Sequence, residues 1–214
     1  MQAPDKIWTI KSASGHDLTI KQFPTVDYQQ SYDEMLSFTQ GRSADTPDQI
    51  WLLQHPPVYT QGTSSTLMPL VSSTIPVIKT DRGGQITYHG PGQIVMYPLL
   101  NIKRFGLGVK SLVSRLEQSV IDVLAMYDLT AERRQNAPGI YLDQSKIGAL
   151  GLRIRNGCSY HGLSFNVDMD LTPFSNIDPC GFQGLEVTQL SAYHADIQFE
   201  KVERLLIEKF SALI

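Results

Sequence analysis

The sequence predicts an α+β fold, a mixed and largely antiparallel sheet with helices packed on one side of it. Two observations lead there. The strand-like runs Gly139–Leu142, Lys146–Arg155 and Ser159–Val167 follow one another with only short turn-like breaks, the pattern of antiparallel neighbours. Helical periodicity occurs in separate blocks instead of alternating with strands, as a doubly wound fold would require. In chain order, a first helix is expected over Tyr28–Phe38, then strands at Ile50–Leu53, Pro76–Lys79 and Ile94–Leu100. Leu112, Val113, Leu116, Val120, Val123 and Leu124 mark a second helix between Lys110 and Tyr127. Val202, Leu205, Leu206, Lys209, Phe210 and Leu213 mark a third.

A chain of 214 residues, 42% of them hydrophobic, can bury one sizeable core, and no Ser/Gly-rich linker, low-complexity tract or internal repeat divides it. The expectation is a single domain over residues 1–214. The start Met1-Gln2-Ala3-Pro4-Asp5-Lys6 lacks the apolar run of a signal peptide, and no stretch approaches the roughly 20 apolar residues that span a bilayer, so a cytoplasmic protein with no membrane partner is expected. Cys158 and Cys180 are too few for a disulfide framework and lack the paired Cys/His spacing of a zinc site, so no metal is expected.

The net charge is −3, yet residues 79–155 hold eleven Lys/Arg against six Asp/Glu. That imbalance suggests a basic face for an acidic partner. Lys103, Arg104 and Lys110 are its candidate contacts. The pI of about 5.9 and the absence of a basic stripe interleaved with aromatics exclude a nucleic-acid partner.

The densest local signal is Arg82-Gly83-Gly84-Gln85-Ile86-Thr87-Tyr88-His89-Gly90-Pro91-Gly92-Gln93, four glycines between two strand-like runs. Glycine lets backbone approach a ligand closely, at about 0.5–1 kcal/mol each relative to alanine in regular structure. Tyr88 and His89 add chemistry and Pro91 stiffens the exit, so the segment reads as a binding loop. Cys180, after Asp178-Pro179 and before Gly181, sits in a sharply turning segment suited to a nucleophile. Cys158 is the competing thiol and reads as structural. His161 shares strand parity with Leu163, Phe165 and Val167, which predicts a core histidine. Lys146 leads into Ile147-Gly148-Ala149-Leu150-Gly151, whose small residues leave room beside the strand for an extended ligand. A thiolate–ammonium pair about 4 Å apart is worth on the order of 4 kcal/mol at an effective dielectric near 20, or roughly three pKa units. Spacing alone does not bring Lys146 and Cys180 together.

The string from Arg82 to Gln93 resembles the signature of the lipoyl(octanoyl) transferases, members of the biotin/lipoate protein ligase superfamily. Three further segments resemble the same family: Lys146-Ile147-Gly148-Ala149-Leu150-Gly151-Leu152-Arg153, His161-Gly162-Leu163-Ser164-Phe165-Asn166 and Pro179-Cys180-Gly181. They fall in order over about 100 residues. The resemblance implies a biotin/lipoate protein ligase-like domain with Cys180 as nucleophile and Lys146 as its proton partner. It implies an acyl site lined by Arg82, Gly83, Gly84, Gln85, Ile86, Thr87, Tyr88 and His89, by Ala149, Leu150 and Gly151, and by Gly162, Leu163 and Ser164. Gly148 and Ser164 stand where alanine is common in the family.

The implied reaction moves an octanoyl group from octanoyl-acyl carrier protein to Cys180, and then to a lysine of an apo lipoyl domain or of the glycine cleavage H protein. It uses no cofactor and no ATP, in a monomer. His89 and backbone donors near Gly181 are candidates for orienting the carbonyl or stabilising its oxyanion. At about 0.8 kcal/mol per buried methylene, octanoyl would outcompete butanoyl by roughly a hundredfold. Two other readings stand beside it. An ATP-dependent lipoate or biotin ligase would need no cysteine, and no GxxxxGK loop occurs. A non-catalytic acyl-binding module would bind donors without releasing the carrier thiol.

Overall fold

Alternating apolar residues on both sides of the same strands decide the architecture. In the computed structural model, residues 1–65, 74–135, 137–177 and 185–214 are described, so the proposed nucleophile Cys180 and its neighbours Pro179 and Gly181 lie outside the described residues. The strands are β1 (Lys6–Lys11), β2 (Asp17–Thr25), β3 (Asp48–Gln54), β4 (Val58–Gln61), β5 (Val77–Lys79), β6 (Ile86–His89), β7 (Gln93–Leu99), β8 (Glu132–Arg134), β9 (Ala137–Leu142), β10 (Ser145–Arg155) and β11 (Cys158–Asn166). Among the described residues, eight of them form one sheet in the order β1-β2-β3-β7-β11-β10-β9-β8, and β5-β4-β6 form a smaller one. In the large sheet only β2 and β3 run parallel.

The central strands are apolar on both faces. Ile50, Leu52, Ile94, Met96, Leu163 and Phe165 face one side, where they meet Leu112, Leu116 and Val120 of α2 (Val109–Ala125) and Val202, Leu206 and Phe210 of α3 (Phe199–Ser211). Trp51, Leu53, Val95 and Tyr97 face the other, where Met35 of α1 (Tyr28–Gln40) covers them. The expectation of helices on one side is therefore corrected: a sheet with two apolar faces needs a cover on each. Asp27 caps α1, its Oδ1 accepting from the Gln30 N–H at 3.0 Å.

The three predicted helices and the β9-β10-β11 meander occur where the periodicity places them, to within a few residues. β1, β2, β4 and β8 were not anticipated, and β6 forms inside the segment read as a loop. There it pairs antiparallel with β4, Tyr59 opposite Tyr88. No helix among the described residues is long and apolar enough to cross a membrane.

Candidate active site

A cleft lies between the α1-side face of the large sheet and the Arg82–His89 segment. Its enclosed volume is about 50 Å3, a narrow slot that opens to solvent. Its floor is built from neighbouring strands: Val95 and Tyr97 of β7, Gly162 and Ser164 of β11, and Ala149 and Gly151 of β10. Ala149 stands opposite Ser164 and Gly151 opposite Gly162, so these positions form successive rungs. Arg82, Gly84, Gln85, Ile86, Thr87, His89, Leu150 and Leu163 complete the predicted set on its walls, while Gly83 and Tyr88 do not line it. The Tyr88 ring packs instead against Tyr59 and Phe174 in the core of the small sheet. Gly83 donates its N–H to Leu152 O at 3.0 Å and thereby fastens the loop to β10.

Glycine at 151 serves this loop more than a ligand. A Cβ there would stand 3.0 Å from Arg82 Cδ and 3.0 Å from Gly83 O, so the space beside the strand is filled by the loop itself. Space at Gly148 is similarly filled by Ile140. Arg82 is 6% exposed, and its guanidinium donates to Thr60 Oγ1 and O, Gly83 O and Gln85 O. These bonds fold the loop around a buried cation whose charge is solvated by oxygen dipoles.

His89 is held by the same frame. Gln93 donates its amide nitrogen to Tyr88 O and Asn166 Oδ1, which leaves Gln93 Oε1 to accept from His89 Nδ1–H at 2.7 Å. Thr60 accepts from Arg82, so its own hydroxyl proton goes to His89 Nε2 at 3.3 Å. Both ring nitrogens are spent, and burial pushes the imidazole pKa down to about 3. His89 is a neutral frame residue here, not an oxyanion donor.

His161 departs from its sequence reading. Its φ of 55° rotates the side chain out of the strand alternation, away from the face of Leu163 and Phe165. The ring stacks between Tyr32 and Tyr160, donates Nε2–H to Asp81 Oδ1 at 3.2 Å and accepts from Tyr28 OH at Nδ1. That hydrogen bond, joined by one from Tyr160 OH, holds the Asp81 carboxyl well below the usual carboxylate range, while burial keeps His161 neutral. Because Asp81 precedes Arg82, the pair ties the glycine loop to β11. Cys158 is buried beside Asn156 O.

Lys146 is 4% exposed, not the exposed hairpin lysine its position suggests. Its backbone pairs with the segment beyond the proposed cysteine turn: Lys146 N–H donates to Glu186 O at 2.8 Å, and Thr188 N–H donates to Lys146 O at 2.9 Å. Its Nζ donates to Pro138 O at 2.9 Å and sits 5.6 Å from the centre of the Tyr141 ring. Gly139 makes room for it. At φ 143° this residue adopts a backbone that L side chains rarely take, and a Cβ there would come within 3.0 Å of Lys146 Nζ and 2.8 Å of Gly148 O. Glu117 Oε1 on α2 accepts from Gly139 N–H at 3.2 Å and holds that backbone in place. A smaller cavity joins Lys146 to the cleft, sharing Thr87, Ala149 and Ser164 with it.

This geometry agrees with what similar proteins are. Residues 26–211 match the lipoyl protein ligase A/B catalytic domain. An octanoyltransferase of Dechloromonas aromatica is 54% identical over 82% of this chain and 86% of its own, and one of Thiobacillus denitrificans is 50% identical over 92% and 91%. The chain belongs to the octanoyltransferase family. Solved structures extend the likeness at the level of fold. A lipoate-protein ligase A crystallised with ATP gives a TM-score of 0.71 at 17% identity, covering 91% of this chain and 83% of that one. A biotin protein ligase from Aquifex aeolicus with biotin and ATP gives 0.54 at 13% identity, covering 90% and 68%.

Four site residues escaped sequence reasoning. Tyr28 lines the cleft although nothing before Asp48 carried a motif, and Gly139 acts only through a lysine seven residues on. Val95 and Tyr97 were read as strand residues without a role; their α1-side parity was the available signal. The proposed basic docking face is also redrawn. Arg104, with Arg42, is ion-paired to the fully buried carboxylate of Asp48, so reversing Arg104 would break a structural pair. Lys103 and Lys110 are exposed.

The buried imidazoles predict an acid-sensitive fold. His55 donates Nδ1–H to Val26 O and accepts from Tyr97 OH, and burial lowers its pKa to about 4. A histidine whose folded pKa is depressed contributes stability that is complete above the unfolded value of 6.5 and is lost as pH falls toward the folded value. His55 and His89 together give a slope of about 2.7 kcal/mol per pH unit below 6.5. Glu203, raised to about 7 by burial beside Gln22, opposes them between 4.5 and 7. Urea unfolding should therefore lose on the order of 1.4 kcal/mol per unit between pH 6.5 and 4.5, more steeply below. A midpoint unchanged from pH 6.5 to 4.5 would show that these rings are not buried neutral.

Proposed function

We propose that this chain transfers an octanoyl group from octanoyl-acyl carrier protein to a specific lysine of apo lipoyl domains, including the glycine cleavage H protein, through a thioester on Cys180. The observation that carries the reading is Lys146: a buried amine side chain in a cavity that adjoins the cleft, in a chain more than half identical to a named octanoyltransferase. Cys180 is six residues before Glu186, whose carbonyl is bonded to the Lys146 N–H, which supports a meeting of thiol and amine.

In the first half-reaction Lys146 takes the Cys180 proton and the thiolate attacks the donor thioester carbon. The C–S bond to the carrier breaks, and the carrier thiol leaves with that proton. In the second, the neutral amine of the acceptor lysine attacks the Cys180 thioester. The C–S bond breaks, an amide forms, and Lys146 carries the proton from nitrogen to the departing thiolate. The acyl group stays activated throughout, so no ATP is consumed. The frame formed by Arg82, Thr60, His89 and Gln93 keeps the cleft wall rigid and excludes water from the acyl chain.

A reaction of purified protein, octanoyl-acyl carrier protein and apo lipoyl domain without nucleotide tests this. Octanoylated domain is the expected product; product formed only from free octanoate plus ATP would move the chain to the ligase reading.

A further inference from the structure

Where the cleft reaches the level of His161, its wall is aromatic, with Tyr28 beside His161 and Tyr97. We infer that Tyr28, backed by His161, is the stop that sets the acyl chain length this protein accepts. The inference rests on the acyl-transfer reading, because it places the thioester carbonyl at the Lys146 end.

Strand register supplies the ruler. Ala149 and Ser164 face each other at the mouth shared with the Lys146 cavity, and Leu152 faces His161 three residues further along the same ladder. Three strand residues at about 3.3 Å each give about 10 Å. Eight carbons in extended zigzag, with C–C bonds of about 1.5 Å, span about 9 Å. A carbonyl at the Ser164 level therefore brings the terminal methyl to the level of His161, where Tyr28 lines the wall.

Tyr28 is built not to yield. It is 1% exposed, stacks on His89 at 5.8 Å and packs against His55 at 4.9 Å. Its hydroxyl donates to His161 Nδ1, as Tyr97 OH donates to His55 Nε2, so both hydroxyl protons are committed to imidazoles behind the wall. A terminal methyl meeting these rings strands no polar group. The wall is further fixed by the Asp81–His161 bond and by the positive φ at His161, which aims that ring at Tyr28.

Thioesters of six to fourteen carbons on acyl carrier protein, offered with apo lipoyl domain to wild type, Tyr28→Leu and Tyr28→Phe, provide the test, with thermal unfolding to confirm each fold. Wild type should peak at eight carbons. Tyr28→Leu should move the peak to ten or twelve, each added methylene gaining up to about fourfold where wild type loses. Tyr28→Phe keeps the ring and should keep the peak at eight. A Tyr28→Leu profile still peaking at eight, or a Tyr28→Phe profile that moves, would overturn the inference. If Tyr28→Leu does not fold, Tyr28→Trp should shorten the preferred chain to six carbons, and an unmoved peak there overturns it equally. Absence of transfer by wild type at every length would instead reject acyl transfer itself, so the two failures are distinguishable.

Discussion

Lys146→Met should reduce octanoyl transfer by about 10^3-fold or more while leaving the fold intact. Methionine keeps the stem volume at a buried site, so the loss isolates the charge and the proton. Two effects combine. Removing an ammonium partner returns the Cys180 thiol toward its ordinary pKa near 8.5, which leaves only a few per cent thiolate at pH 7. Removing the group that shuttles the proton costs a further 10^2 to 10^4. The pH–rate profile separates them: the variant should gain about tenfold per pH unit up to about 8.5, whereas wild type stays flat through neutrality. A variant within tenfold of wild type at pH 7 would show that Lys146 does not act on the nucleophile.

The second large effect is expected at a residue with no functional group. Gly139→Ala places a Cβ within 3.0 Å of Lys146 Nζ and 2.8 Å of Gly148 O, at a φ of 143°. The backbone conformation alone costs of order 1–3 kcal/mol. Either the lysine moves or the β9 backbone does, and an ångström of misplacement at a reacting group costs on the order of 10^2 in rate. Gly15→Ala is the control: its φ of 84° is also unfavourable, but nothing lies within 4 Å of the new Cβ. Gly15→Ala should lower the melting temperature with kcat unchanged; Gly139→Ala should lower both. Equal kcat in the two variants would mean that the Lys146 pocket tolerates the methyl group.

What the sequence made legible was local. Helical periodicity located α1, α2 and α3, and β9, β10 and β11 were readable because each is an apolar run bounded by a turn. Motif order identified the family before any geometry was known. The parts that were not legible depend on contacts between distant segments. β1 and β2 carry few buried residues in a row and gain their identity by pairing, Leu18 with Asp48 and Ile20 with Ile50. Parity arguments placed His161 in the wrong layer because one positive φ, a property of backbone packing and not of residue type, reverses its direction. The burial of Lys146 was unreadable because Gly139, Pro138 and Glu117 create it from two other elements. Arg82 was read as a substrate contact, yet its visible role is to solvate its charge on the loop it shapes.

The ion pair at Asp48 carries a related lesson. A local excess of lysine and arginine suggested a docking surface, but Arg104 and Arg42 share one buried carboxylate that fixes the start of β3 to the end of β7. Composition counts charges without saying which are already partnered.

The central claim is that the acyl group passes through Cys180 with the help of Lys146. Intact-protein mass spectrometry tests it most directly, after mixing octanoyl-acyl carrier protein with wild type, Cys180→Ala and Lys146→Met in the absence of ATP. The account predicts one octanoyl adduct on wild type, none on Cys180→Ala, a slow one on Lys146→Met, and loss of the wild-type adduct when apo lipoyl domain is added. An adduct that persists on Cys180→Ala, or octanoylated domain formed by that variant at the wild-type rate, would contradict it.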